Sequence, residues 1–175
     1  MIHLYFGGGK GKTTAAVGLA VRYSGAAKPV VFSQFLKGGS TGELVQLERL
    51  EIPVFRQSKK MPFTFQMTAE QKTLCAAEQK AIFDKAAAEA LRRAPCLLVL
   101  DEIIDVLEAG LLEQAPVEDF LRQQKPGGQV AVCEMVLTGH SAPEWLVQYA
   151  DYVTEFKKIK HPYDAGTPAR KGVEF

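Results

Sequence analysis

Residues Gly7-Gly8-Gly9-Lys10-Gly11-Lys12-Thr13-Thr14 stand between a strand-like run, Ile2 to Phe6, and a helix-like run that begins Ala15-Ala16-Val17-Gly18-Leu19-Ala20. Strand, glycine loop and helix in that order predict a phosphate-binding loop. Glycines let the chain fold tightly enough for backbone N–H groups to converge on phosphate oxygens, and the helix N-terminus adds partial positive charge at the same point. Lys12 is positioned to neutralise a phosphate oxygen, and the Thr13 hydroxyl suits Mg²⁺, a hard ion that prefers oxygen ligands. The loop is a variant: the strict G-x-x-x-x-G-K-[ST] pattern asks for glycine where this chain has Phe6.

Strand-like runs recur at Ile2 to Phe6, Val30 to Phe35, Val54 to Arg56, Cys96 to Asp101, Gln129 to Val136 and Tyr152 to Phe156. Several are apolar at consecutive positions, which predicts strands covered on both faces, as in a parallel sheet. Between them, helices are expected from Thr13, over Thr68 to Arg93 with capping-box spacing at Thr68 and Gln71, and over Glu144 to Gln148 after Pro143. In the long helix Leu74, Ala77, Ala81 and Ala88 share one face. The stretches Lys37 to Gly42, Ser58 to Gln66 and Lys157 to Phe175 carry little periodicity. The alternation predicts an α/β layered fold over residues 1–175 as one domain, with ligands at the strand ends.

Leu97-Leu98-Val99-Leu100-Asp101-Glu102 is an apolar strand ending in two acids, the Walker-B arrangement. Either acid can hold a metal directly or through water, and in hydrolases the second often positions a water for attack. The alternative is that they cap a helix starting at Ile103. Asp105 and Glu108, further along that helix, are expected to be solvated. These two motifs point to a nucleoside triphosphate with a divalent cation and leave the reaction open.

Composition narrows the partners. The 175 residues balance 21 Lys+Arg against 20 Asp+Glu, a net charge of +1, which disfavours a protein that coats nucleic acid or an anionic membrane. Cys75, Cys96 and Cys133 form no CxxC pair and are expected to be buried thiols in a reducing compartment. With no signal-peptide core and no apolar run near the roughly 20 residues of a membrane span, a cytoplasmic location is expected.

Further segments single out a family. Gly9 to Ala16, Gln34-Phe35-Leu36-Lys37-Gly38, Leu100-Asp101-Glu102, Thr138-Gly139, Ala150-Asp151, Lys160-His161-Pro162-Tyr163-Asp164-Ala165-Gly166 and the closing Gly172-Val173-Glu174-Phe175 together resemble the ATP:corrinoid adenosyltransferases. The resemblance covers the chain. It implies a P-loop NTPase (RecA-like) three-layer α/β fold with a mostly parallel central sheet. It also implies transfer of 5′-deoxyadenosyl from ATP to the cobalt(I) of a corrinoid, with release of triphosphate. Lys12 and Glu102 are then the catalytic candidates, and Thr13, Asp101 and Glu102 the candidates for Mg²⁺ or Mn²⁺. Gly7, Gly8, Gly9, Lys10, Gly11, Lys12, Thr13 and Thr14 would hold the nucleotide, joined by Arg22, which lies about two and a half helical turns beyond Thr13. Phe63 and Phe65, spaced i, i+2 in an extended segment, match an aromatic pair that wedges beneath the corrin ring; two phenyl rings packed in a core are the alternative. An electron-donor protein or reduced flavin and a homodimer are the expected partners.

Departures from the family pattern are His140 in place of arginine, Phe65 in place of a frequent tryptophan, Gly8 in place of a polar residue and Arg170 in place of glutamine. The segment ahead of the first strand that covers the site in some relatives is missing, so closure is expected to differ or to come from a partner subunit. His3 is expected to be structural, Trp145 to anchor a helix, and Lys157, Lys158 and Lys160 to be solvated; His161 is open between site and scaffold. Two other readings of the same clamp remain: a phosphoryl-transfer enzyme or ATPase releasing ADP, and a RecA-type module in which ATP sets conformation.

Overall fold

The structure is a computed structural model, described here for residues 1–59, 61–124 and 133–174. Six strands form one sheet: β1 (Ile2–Phe6), β2 (Val30–Gln34), β3 (Val54–Arg56), β4 (Leu97–Asp101), β5 (Glu134–Gly139) and β6 (Tyr152–Glu155). Their order is β3-β2-β4-β5-β1-β6, and every pairing is parallel. Helices α1 (Lys12–Gly25), α2 (Gly42–Arg49), α3 (Ala69–Arg93), α4 (Ile103–Glu108), α5 (Gln114–Gln123) and α6 (Glu144–Tyr149) connect them.

The consecutive apolar residues of the central strands divide between two cores. Val31, Leu98, Leu100, Met135 and Leu137 face a layer that contains α3, α4 and α5, while Val30, Phe32, Leu97, Val99 and Val136 face α1 and α2. Successive side chains of a strand point to opposite faces, so a run with no polar alternation is what a sheet buried on both sides requires. The three-layer α/β fold with a P-loop NTPase-like sheet therefore follows from the pattern.

Several expected elements differ in detail. The fifth strand runs Glu134–Gly139, because its register with β1 pairs Ile2 with Met135 and Phe6 with Gly139 and so draws Thr138 and Gly139 into the ladder. Positions 129–132 of the expected strand lie outside the described residues. Helices α2 and α5 were not signalled by the sequence pattern. Helix α3 keeps its expected capping box, with Thr68 accepting from the Gln71 amide and the Gln71 side chain accepting from the Thr68 amide. Its expected apolar face is the solvent face: Leu74 is 62% exposed, and Ala77, Ala81 and Ala88 are exposed with it. Cys75, Ile82, Phe83, Ala86 and Ala90 are buried instead. Ile82 and Phe83 carry the transfer free energy that sets the rotation, and alanines are too small to oppose them.

No helix among the described residues is long and apolar enough to cross a membrane. The three cysteines are free and buried, with Cys96 and Cys133 side by side at the starts of β4 and β5, Sγ to Sγ 3.3 Å. His3 hydrogen-bonds Glu134 at 2.6 Å and stacks on Tyr152. Trp145 packs edge-on to Tyr149 beside the core.

Candidate functional site

The glycine loop leaves β1 and enters α1 with backbone torsions that only glycine adopts easily: φ is 114° at Gly7 and 121° at Gly11. The need for glycine thus falls at Gly7, one residue past the strict motif position, and Phe6 remains an ordinary strand residue paired with Gly139 and Glu155. Gly9 is required for a different reason. Its amide donates to the Phe156 carbonyl at 2.6 Å, and a Cβ there would lie 2.5 Å from that same oxygen. The loop is therefore seated directly on the backbone after β6. Gly8 faces open space.

Helix α1 begins at Lys12 with no capping side chain and no acid in its first turn, so its N-terminal amides keep their positive character for an anion. Lys12 folds over the loop and donates to the carbonyls of Gly7 at 2.5 Å and Gly9 at 3.1 Å. Burial lowers the pKa of its ammonium, opposed by the nearby Asp105, Glu102 and Asp101 carboxylates. Lys10 reaches the other way, to the Val173 carbonyl at 2.7 Å, and ties the C-terminal segment to the loop. Gly172, Val173 and Glu174 line a cavity of about 320 Å³ with Thr13, Thr14 and Glu43. Phe175 of the closing motif lies outside the described residues.

The acids sit at the C-terminal end of β4, as expected, and not as helix caps: Glu102 occupies the N-cap position of α4 but makes no side-chain capping bond. Asp101 has no exposed surface. Its Oδ1 accepts from the Thr13 hydroxyl at 3.0 Å and from the Thr138 hydroxyl at 2.8 Å. Thr138 Oγ1 in turn accepts the Glu102 amide at 2.8 Å. Glu102 itself is a non-glycine residue at φ 64°, a strained backbone held in place by its surroundings, at a cost on the order of 1 kcal/mol. Burial is the main cause that raises the Glu102 pKa, with Lys37 pulling it down and Asp101 pushing it up.

Lys37, which the sequence marks only as part of the family-like segment Gln34 to Gly38, is the centre of this cluster. Its Nζ lies 2.7 Å from Asp101 Oδ2, 3.0 Å from Glu102 Oε1 and 3.0 Å from Thr13 Oγ1. Burial works to lower the pKa of its ammonium, and the two carboxylates outweigh burial and leave it raised. The turn that aims it follows β2, where Leu36 takes a left-handed φ of 56° and its amide donates to buried Gln79 of α3 at 3.1 Å. Thr138 stands in the family-like Thr138-Gly139 pair without a role read for it, and Gln79 is unsignalled. Beyond the family-like segments that contain Lys37 and Thr138, the clue is position: Gln34 is paired with Asp101 in the sheet, so residues just past β2, β4 and β5 share one edge.

A larger cavity, about 640 Å³, adjoins this edge and is lined by Leu36, Lys37, Met61, Phe63, Glu102 and His140 among others. Phe63 and Phe65 are 70% and 80% exposed. Their rings stack at 5.6 Å with an interplanar angle of 8°. The segment is not extended, since Thr64–Gln66 form a 3-10 turn capped by Phe63, yet the two rings still face one another outside the core. Asp105 is not a solvated acid: it accepts from the His140 amide at 3.1 Å and pairs with His140 Nδ1 at 2.9 Å. Glu108 accepts from the Ser141 hydroxyl. Arg22 lies exposed in the last turn of α1, away from the loop and near Tyr5. His161 Nδ1 accepts the Tyr163 amide and starts a second 3-10 turn, Pro162–Ala165. Lys157, Lys158 and Lys160 are exposed, with Lys158 3.0 Å from Asp164.

The structure thus brings Lys12, Thr13, Asp101 and Glu102 together at one sheet edge, places Phe63 and Glu102 on the lining of one cavity with Phe65 stacked on Phe63, and leaves Arg22 apart. The chain is 34% identical to the corrinoid adenosyltransferase of a Sinorhizobium species over 171 residues, 97% of this chain and 77% of that one. It is 35% identical to the corrinoid adenosyltransferase of Pseudomonas aeruginosa over 174 residues, covering 98% and 82%. Against the corrinoid adenosyltransferase CobA of Salmonella typhimurium the identity is 29% over 178 aligned residues, covering 100% and 85%. Residues 1–175 match the family described as ATP:corrinoid adenosyltransferase BtuR/CobO/CobP, and the chain belongs to that family.

Proposed function

We propose that the protein transfers the 5′-deoxyadenosyl group of ATP to the cobalt(I) of a corrinoid and releases inorganic triphosphate. The observation that carries this reading is the adjacency of two cavities that share Lys37: one beside Thr13 and Thr14 at the glycine loop, the other bounded by Phe63 and Glu102. A nucleotide with its phosphates in the loop would have its ribose within reach of a flat ligand in the larger cavity. Cobalt(I) supplies an electron pair to C5′, the bond from C5′ to its oxygen breaks, and that pair stays on the departing triphosphate.

Negative charge grows on the leaving oxygen and the phosphates, so donors already aimed at the loop lower the barrier without reorganising. Lys12 and the uncapped first-turn amides of α1, Lys12 to Thr14, fill that role, while the Gly7 and Gly9 amides hold the loop against Gly139 and Phe156. Thr13, Asp101 and Glu102 offer hard oxygens of the type Mg²⁺ or Mn²⁺ takes, and the fit is supported by the cationic nitrogen of Lys37 lying among those same three residues. A divalent ion held there supplies further charge compensation to the triphosphate as it leaves. Phe63 and Phe65 are the pair we assign to the underside of the corrin. With the lower axial ligand displaced, the cobalt orbital along that axis falls in energy and accepts an electron more readily from a protein or reduced-flavin donor.

Product analysis tests the proposal. With ATP and a pre-reduced corrinoid, ³¹P spectra should show inorganic triphosphate rising in step with the corrinoid spectral change. ADP and phosphate, with no change at cobalt, would replace this reading with a phosphoryl-transfer enzyme or ATPase.

A further inference from the structure

Lys37 makes the three contacts a bound cation would make, to a fully buried carboxylate, a second carboxylate and a hydroxyl, all within 3.0 Å. Most lysines on a protein surface spread their ammonium into water, and two neighbouring acids with a threonine are an expensive place to hold one without purpose. The position is built: the left-handed Leu36 turns the chain inward, and its amide is held by Gln79, which is itself buried and bonded to Gln57 at 3.0 Å. Arg56 secures the same loop by donating to the Lys37 carbonyl at 2.9 Å.

We propose that Lys37 is a tethered placeholder for the divalent cation, neutralising Asp101 and Glu102 until a metal arrives and then being displaced from between Thr13, Asp101 and Glu102. The inference rests on the assignment of those three residues as the metal site. Asp101 cannot be left alone, because removing one partner of a buried charge pair leaves an uncompensated charge that destabilises strongly. A tethered cation offsets the repulsion between the two acids and holds them in register while nothing else occupies the site. It also weakens metal binding in the absence of nucleotide, since the metal has to expel an ammonium already in place. Metal binding then tightens with the triphosphate, whose oxygens add ligands and give the displaced ammonium a new anionic partner.

The test uses Mn²⁺ with neither nucleotide nor corrinoid present, so it is independent of adenosyl transfer. Free Mn²⁺ is counted by electron paramagnetic resonance during titration of the wild-type chain and of Lys37→Met. The variant should bind Mn²⁺ at least about tenfold more tightly, because the metal then supplies a charge compensation nothing else provides. Equal or weaker binding overturns the proposal. Because the variant can lose its fold through Asp101, a second measurement is made on the wild-type chain: reductive methylation of Lys37 read by mass spectrometry. Saturating Mn²⁺ should speed that labelling severalfold, and an unchanged rate overturns the proposal as well. An active transferase whose Lys37 ignores Mn²⁺ would lose the placeholder and keep its function, whereas a chain that fails product analysis but shows Mn²⁺ displacement would lose only the reaction.

Discussion

The Thr138 hydroxyl donates to Asp101 Oδ1 at 2.8 Å while accepting the Glu102 amide at 2.8 Å, so one side chain from β5 fixes both acids at the end of β4. Thr138→Val keeps the shape and removes both bonds. Left with a part-buried, unpaired amide and one fewer donor on buried Asp101, the variant should lose about 1–3 kcal/mol of stability in urea unfolding. It should also need more metal for half-maximal activity, and Thr138→Ser should restore most of both. A metal requirement that stays at the wild-type level would show that Thr138 serves the fold alone.

Gly8 and Gly9 are neighbours with opposite tolerance. A Cβ on Gly8 meets nothing within 4 Å, while one on Gly9 would press into the Phe156 carbonyl at 2.5 Å and, close behind it, the Lys157 backbone. Gly8→Ala should therefore bind ATP within about twofold of wild type. Gly9→Ala must part the loop from the strand end and should weaken ATP binding by about 100-fold, or about 2.7 kcal/mol, in calorimetric titration. Similar affinities for the two would contradict the seating of the loop on Phe156.

If the aromatic pair acts at the reduction step, Phe63→Ala should slow adenosylation of cobalt(II) under a mild reductant much more than adenosylation of chemically pre-reduced cobalt(I). The stacked neighbour Phe65 loses its partner in the same variant, so Phe65→Ala should follow the same pattern. Equal losses with both substrates would assign the rings to binding and not to reduction.

Glu89, in the last turns of α3, receives Arg92 at 2.6 and 2.8 Å and Arg93 at 2.5 Å. These hydrogen bonds, Arg92 first and Arg93 next, lower its pKa from 4.5 to about 2. Because the folded value lies below the unfolded one, the stability it contributes is fully present above pH 4.5 and is lost as pH falls through about 2. Arg92 is solvated and Arg93 partly so, and screening should keep the contribution to about 1 kcal/mol or less. Glu89→Gln should narrow its gap to wild type as unfolding is followed from neutral pH down through that window.

The parts of this architecture that were legible in the sequence are those whose cause is local. The glycine loop and the Leu97 to Glu102 strand announce themselves because contiguous residues do the chemistry, and the capping box set the start of α3 correctly. The buried side of α3 was misjudged because alanines sit on every face of it, and which face packs is decided by Ile82 and Phe83 meeting the sheet. The end of β5 lies past the expected Val136 because its extension over Thr138 and Gly139 comes from pairing with Tyr5 and Phe6 of β1, which the local pattern does not show. Lys37 and Thr138 escaped for a related reason. Their closeness to Asp101 comes from β2, β4 and β5 lying side by side, although β2 and β5 are about a hundred residues apart in the chain. Asp105 reads as solvated in the sequence because its partner, His140, arrives from the end of a different strand.

ATP carrying ¹⁸O at the oxygen that joins C5′ to the α-phosphorus tests most directly where the bond breaks. After a single turnover with a cobalt(I) corrinoid, mass spectrometry should find the label wholly in inorganic triphosphate and none in the adenosyl product. Label retained on a nucleoside or in ADP would mean attack at phosphorus, and would contradict the account.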